Sequence, residues 1–256
     1  ISINTNTQSA VKARDLRSNS KQILKLKKAY EAKYSNGFFA TKRGEIIPAD
    51  KDKQYCIELS YLGKNLTAWY MQRPNLSYGE TKIFDKYFNT LFKNDYLPED
   101  AYALSFWMRK IMDAWTQENP LGLEEELLTM KAYAPYHLLF AISMVFAKCN
   151  NQTNVPSPSE CLKVASENNL VDSIINIAAN CLNSAISAEK NNCEQNNKSF
   201  IPQNWVKNKS CNAGIMSAIQ NYFSFLPTMN KEMDSKLKNG VKIDSKYFSY
   251  RVQAED

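Results

Sequence analysis

Several polar side chains near the start of the chain could contact nucleic acid. Asn4, Asn6 and Gln8 are spaced by two residues, so in an extended segment they would share one face. Carboxamides hydrogen-bond to base edges, whereas guanidinium and ammonium groups bind phosphates. The nearby cations that complete this predicted nucleic-acid-binding set are Arg14, Arg17, Lys42 and Arg43.

The positive charge of the chain is concentrated in the same region. The first sixty residues hold 12 Lys and Arg against 6 Asp and Glu, whereas the whole chain holds 32 against 26. A local basic field favours acidic partners such as DNA or RNA. The structural alternative is that the amides close turns and that Asp15 pairs with Arg14 or Arg17, and this is the more common explanation of such residues.

Two catalytic motifs can be tested and set aside. Asp15 with Glu31-Ala32-Lys33 matches the letters of a PD-(D/E)xK nuclease. However, Glu31 and Lys33 lie on a predicted helix and face different sides of it, so they cannot share a metal. His137 lies in an apolar helical segment with no acid three or four residues away, which favours a structural role. We therefore predict no catalytic residue in this chain.

Cysteine and histidine usage predicts no metal site, and we expect no cofactor. The chain has 6 Cys and 1 His, and no two cysteines are spaced as Cys-x-x-Cys. Structural zinc requires clustered ligands, so we predict none, and we expect free thiols in a reducing cytoplasm. The longest apolar run, residues 136–147, is too short to cross a bilayer, and we expect no membrane association.

The hydrophobic pattern predicts a mainly α fold, a multi-helical domain with a small β element near the N-terminus. Only 7 Gly are present, which argues against an all-β fold rich in tight turns. Helical periodicity covers residues 21–34, 60–72, 81–94, 98–118, 123–148 with a kink at Pro135, 159–168, 171–190 and 211–225. The β element is expected at residues 1–8 and 38–46. We divide the chain into a basic segment, 1–60, that ends a larger upstream domain, and a helical domain, 61–256.

Three segments of the first 45 residues resemble a known family. NTNTQSAV (residues 4–11) and RDLRSNS (14–20) resemble the signature of the AIPR (abortive infection phage resistance) family, although Ser20 replaces the family's Asp. GFFATKRGE (37–45) resembles a later segment of the same signature. The segments occur in the family's order and spacing, whereas the match weakens beyond residue 45.

This resemblance implies the C-terminal part of a cytoplasmic anti-phage defence protein of bacteria or archaea. Nuclease-like chemistry is then expected upstream, and no catalytic residue of the family can be carried over. The expected function is a non-catalytic module that binds DNA or RNA. One alternative is an interaction or oligomerisation module that regulates the upstream domain. Another is an enzyme whose site upstream residues complete.

Overall fold

A computed structural model describes residues 13–92, 96–116 and 118–252. Within these ranges the chain forms thirteen α-helices: α1 Ala13–Arg17, α2 Lys21–Lys33, α3 Leu59–Trp69, α4 Glu80–Asp85, α5 Phe88–Leu91, α6 Pro98–Met112, α7 Glu125–Leu128, α8 Ala134–Cys149, α9 Pro158–Glu167, α10 Val171–Gln195, α11 Pro202–Trp205, α12 Lys209–Met229 and α13 Lys231–Gly240. It also forms four short strands: β1 Phe38–Ala40, β2 Cys56–Glu58, β3 Val155–Pro156 and β4 Phe248–Ser249. The predicted mainly α class is confirmed.

Helix α8 lies at the centre of the fold. Its apolar side chains surround the whole helix, and 13 of its 16 residues are buried. A helix that is apolar all round must be covered on every side, and α8 contacts α3, α6, α10 and α12. None of the described helices is both long and apolar enough to span a membrane.

The basic N-terminal region packs on the helices that follow it. Ile23, Leu26 and Tyr30 form the buried stripe of α2, which contacts α6, as the helical spacing predicts. Strand β1 pairs in parallel with β2, with Phe39 opposite Ile57. The two parts of the chain thus share one hydrophobic core, and the division drawn after residue 60 falls inside α3.

The second small sheet joins β4, near the C-terminal end of the described residues, to β3. Strand β4 pairs antiparallel with β3, with Phe248 opposite Pro156. The indole nitrogen of Trp69 donates a 2.7 Å hydrogen bond to the carbonyl of Pro156, which anchors β3 to α3.

Two predicted helices are each divided in the structure. Residues 81–94 were expected to form one helix, but α4 ends at Asp85 and α5 begins at Phe88. The kinked helix predicted over 123–148 is wrong as well, because α7 and α8 are separate and Pro135 lies in the first turn of α8. Proline lacks an N–H and clashes with a preceding helical turn, so it suits a helix start better than a helix interior.

Other boundaries also differ from the sequence prediction. The helix predicted to end at residue 190 continues as α10 to Gln195, and the polar tail contains α13. Both additions are polar on much of their surface, so they lack the apolar signal on which the prediction relied. Of the predicted β element, residues 38–40 form β1, whereas residues 1–8 lie outside the described ranges.

Candidate nucleic-acid interface

The predicted nucleic-acid-binding residues fall into three groups in the structure. Asn4, Asn6 and Gln8 lie outside the described residues. Two arginines lie on α1, and they prove to be engaged with neighbouring elements. The remaining two cations, Lys42 and Arg43, lie on the turn that follows β1.

Arg14 is committed to ion pairs inside the fold. Its side chain is buried, with 8% of the residue exposed. The guanidinium lies 3.4 Å from Oδ1 of Asp15 and 3.3 Å from Oε1 of Glu80. Arg14 therefore joins α1 to α4, which is the structural role that the sequence left open for it.

Arg17 packs against the aromatic residues of α4 and α5. Its guanidinium carbon lies 4.8 Å from the centre of the Phe88 ring, and Nε donates a 3.3 Å hydrogen bond to the carbonyl of Phe84. A cation over an aromatic face is held by the ring quadrupole. Arg17 is thus oriented by the core and is only partly accessible.

The turn that carries Lys42 and Arg43 is held by two carboxylates. Glu45 Oε2 accepts hydrogen bonds from the backbone N–H groups of Thr41 at 2.7 Å and Lys42 at 3.0 Å. Oδ1 of Asp15 accepts a 3.3 Å hydrogen bond from the backbone N–H of Arg43. Both acids therefore contact the backbone of the turn instead of neutralising its side chains.

The electrostatics of Glu45 follow from the same contacts. Partial burial disfavours its ionised form, but the Lys42 and Thr41 backbone donors and the ammonium of Lys27 outweigh burial, and its pKa is lowered. The Lys27 ammonium lies 3.1 Å from Oε1. The ionised Glu45 carboxylate thus stabilises the backbone of the turn.

The side chains of Lys42 and Arg43 are exposed, and neither makes an ion pair or side-chain hydrogen bond with another described residue. Gly44 follows with a φ of +69°, a left-handed conformation that glycine adopts without strain. The structure thus presents two adjacent exposed cations on a backbone that Asp15 and Glu45 hold in place.

A cleft of about 600 Å³ opens beside the same loop. Residues 47–53 form one wall, and α3 and α6 form the others. Its volume lies within the range of roughly 300–1,000 Å³ found for small-molecule sites. The side chains that the sequence analysis missed here include Tyr61, Asn65, Ser105 and Arg109.

Asn65 is the most unusual of these side chains. It is only 2% exposed, and its Oδ1 is buried without a hydrogen-bond partner in the described part of the chain. Buried polar groups are normally paired, so this one requires an explanation. The available signal in the sequence was an asparagine between Leu62 and Leu66 on an otherwise apolar helical stripe.

Catalytic groups do not converge among the described residues. Glu31 accepts a hydrogen bond from the Phe39 backbone at 3.2 Å, and Lys33 pairs with Glu99 at 2.7 Å. The two residues that match the nuclease motif therefore have different partners. No group of three or more His, Cys, Asp or Glu residues in these ranges could hold a metal.

Two further side chains that could react, His137 and Cys56, are held in their neutral forms. Burial lowers the pKa of His137 to about 4, although the backbone of Tyr133 and Val206 favours its charged form. Cys56 lines the cleft, where burial raises its pKa and its thiol donates to the carbonyl of Asp52 at 3.2 Å. All six cysteines are unpaired. A protonated thiol is a poor nucleophile.

No protein-family model matches this chain, and it has no significant similarity to a curated protein or to a solved structure. The function must therefore be argued from the chain's own geometry and from the signature-like segments.

Proposed function

We propose that this chain is a non-catalytic nucleic-acid-binding module of an anti-phage defence protein, with the Lys42–Arg43 turn as a phosphate contact. The defence context rests on the resemblance of residues 4–45 to the AIPR signature. The binding activity rests on the geometry of the turn and on the excess of Lys and Arg in the first sixty residues.

One observation carries the proposal. Asp15 and Glu45 bind the backbone of the turn, while the cations of Lys42 and Arg43 remain exposed. Cations on an ordered backbone bind phosphate without the entropic cost of arranging the loop that carries them. Such contacts fix the position of a nucleic acid and carry no base information, so binding through this turn would be sequence-independent.

The test is a fluorescence-anisotropy titration of the chain against duplex DNA, single-stranded DNA and RNA, at about 50 and 200 mM salt. We expect binding that weakens with salt. A Lys42→Gln/Arg43→Gln variant should bind more weakly, and the slope of log affinity against log salt should become shallower by about 1 to 2. A Lys231→Gln/Lys242→Gln variant removes the same charge from another exposed surface and serves as the control.

Two results would contradict the proposal. One is the absence of binding to all three nucleic acids at the lower salt concentration. The other is an equal loss of affinity in the two double variants, because net charge alone would then explain the binding.

The interaction-module alternative has its own observation. Helix α8 is largely buried and therefore does not offer such a module its contact surface. At the C-terminal end of α12, however, Phe225 and Met229 are 62% and 75% exposed and lie one helical turn apart. A dimer in size-exclusion chromatography that a Phe225→Ser/Met229→Ser variant converts to monomer would favour this alternative.

A further inference from the structure

The unpartnered carboxamide of Asn65 points to a ligand in the cleft that residues 47–53, α3 and α6 enclose. Its Oδ1 is buried without a partner, and Asn65 has no side-chain hydrogen bond within the described ranges. An amide presents an acceptor and a donor side by side, so its complement is a planar group that offers a donor next to an acceptor. Asn65 lines a cleft of about 600 Å³ but exposes only 2% of its surface, so a group in the cleft contacts the carboxamide once the side chains that cover it shift.

The walls around Asn65 suit a flat and largely apolar ligand. Tyr61 lies one turn before Asn65 on α3, lines the same cleft and is 53% exposed. Met108 and Met112 line it from α6, again one turn apart. Aromatic rings stack on planar groups, and methionine side chains adapt to their faces and edges.

Cations that can hold an anionic group also line the cleft. Arg109, Lys51 and Lys53 line it, against the acids Glu58 and Asp113. The Arg109 guanidinium is partly buried and its Nη1 donates to Oγ of Ser105 at 2.7 Å, which fixes its position while leaving other N–H groups free. Arginine held in this way is suited to bidentate phosphate binding.

We propose that this cleft binds one nucleotide, with the edge of the base on the Asn65 carboxamide and the phosphate on Arg109. An asparagine amide matches the N6 and N7 positions of adenine, so adenine is the base expected to bind best. The ligand is either a free mononucleotide or a single unstacked nucleotide of a strand, since both present the same base and phosphate. The cleft would hold this ligand whether or not the Lys42–Arg43 turn contacts nucleic acid.

Calorimetric titration with small probes tests the proposal on the whole chain. Adenosine monophosphate should bind saturably, and more tightly than adenosine, which lacks the phosphate, or ribose 5-phosphate, which lacks the base. Short oligo-dA and oligo-dT strands form the second arm. Adenosine monophosphate binding identifies the free nucleotide as a ligand, whereas preferential binding of oligo-dA alone identifies a strand.

The decisive variant is Asn65→Leu. It removes the unpaired amide while roughly keeping the side-chain volume, so the melting temperature should be unchanged or higher. Binding of adenosine monophosphate, or the preference for oligo-dA, should fall by at least about tenfold. Asn180→Leu, at an exposed position on α10, is the matched control and should bind normally.

Arg109→Gln separates the two halves of the ligand. It should weaken binding of adenosine monophosphate and leave that of adenosine unchanged, because only the phosphate contacts this side chain.

The proposal is overturned if neither the mononucleotide nor oligo-dA binds saturably, or if folded Asn65→Leu binds them as tightly as the unaltered chain. Failure of the phosphate-contact turn has a different signature. In that case salt-sensitive binding of long nucleic acids would be absent or insensitive to Lys42→Gln/Arg43→Gln, while mononucleotide binding would persist.

Discussion

The backbone N–H of Arg43 donates a 3.3 Å hydrogen bond to Oδ1 of Asp15, and the two residues lie 28 positions apart in the chain. The same carboxylate lies 3.4 Å from Arg14. Asp15 thereby links α1 to the turn after β1. Two of the three segments that resemble the family signature, residues 14–20 and 37–45, are thus adjacent in space, and the first supports the backbone of the second.

Asp15→Ala should weaken nucleic-acid binding although it removes a negative charge. Electrostatics alone predicts tighter binding, because the surface becomes more basic. Loss of the acceptor for Arg43 should instead loosen the turn and lower the free energy of unfolding by about 1 kcal/mol. Anisotropy titration and chemical denaturation measure the two effects.

Asp50→Ala is the charge-matched control, since Asp50 is an exposed acid of the same loop. It should leave binding unchanged or slightly tighter. If Asp15→Ala and Asp50→Ala both tighten binding equally, the ordering of the turn does not matter and the argument fails.

Arg14→Ala should lower the stability of the chain more than it lowers nucleic-acid binding. The substitution leaves Glu80 without its partner on α1, and breaking a partly buried pair should lower the free energy of unfolding by about 1–3 kcal/mol. Arg14→Met with Glu80→Gln removes both charges and should recover much of this loss. A double variant of Arg14 and Arg17 is consequently a poor probe of nucleic-acid contacts, because both side chains hold α1 against α4 and α5.

If Arg14→Ala unfolds at the same denaturant concentration as the unaltered chain, the ion pairs contribute little. Circular dichroism during urea unfolding distinguishes the two outcomes.

The sequence predicted the helices well where an apolar stripe continues without interruption. The buried stripes of α2 and α3 are examples. It failed where a turn interrupts apolar residues, as between α4 and α5, because periodicity continues on both sides of the break. It also missed β2, since Cys56–Glu58 pairs with a strand that is distant in sequence and is too short to show alternation.

The candidate site was only half predictable for a similar reason. Lys42 and Arg43 were found because charge and the family-like signature are visible in the sequence. The cleft was missed because Asn65 and Arg109 are brought together by the packing of α3 and α6, and nothing local relates them. The deep burial of Arg14 was equally invisible, because Glu80 lies far along the chain.

Asp100 should be a major determinant of stability. Its Oδ1 accepts hydrogen bonds from Oγ of Ser157 at 2.9 Å and from Oγ of Ser159 at 2.6 Å, and the backbone N–H of Ser159 donates at 3.2 Å. These contacts join the start of α6 to the start of α9. Because Asp100 is buried, Asp100→Ala leaves several donors unsatisfied and should cost about 3 kcal/mol.

Glu99→Ala is the matched control for Asp100→Ala. Glu99 lies in the same first turn of α6, so both acids interact similarly with the helix dipole. Its ion pair with Lys33 is partly exposed, and its loss should cost no more than about 1 kcal/mol. Equal losses in the two variants, measured by urea unfolding, would show that the Ser157 and Ser159 contacts add nothing.

The stability of the chain should fall as pH decreases from 7 to 5, because of His137. The ring is fully buried on α8, and burial lowers its pKa from 6.5 to about 4. Between these two values the unfolded chain binds a proton that the folded chain does not. The free energy of unfolding therefore rises with pH in this window. It should fall by about 2 kcal/mol when the pH is lowered from 7 to 5.

His137→Gln should remove most of this pH dependence. A glutamine can keep a hydrogen bond to the carbonyl of Tyr133, which lies 3.1 Å from Nδ1 of the histidine, yet it does not titrate. The variant should be less stable than the unaltered chain at pH 7 and should lose less stability on going to pH 5. Urea unfolding at pH 7, 6 and 5 measures both slopes. Parallel slopes would mean that His137 is protonated in the fold or exposed to solvent, and that carboxylates elsewhere account for any acid sensitivity.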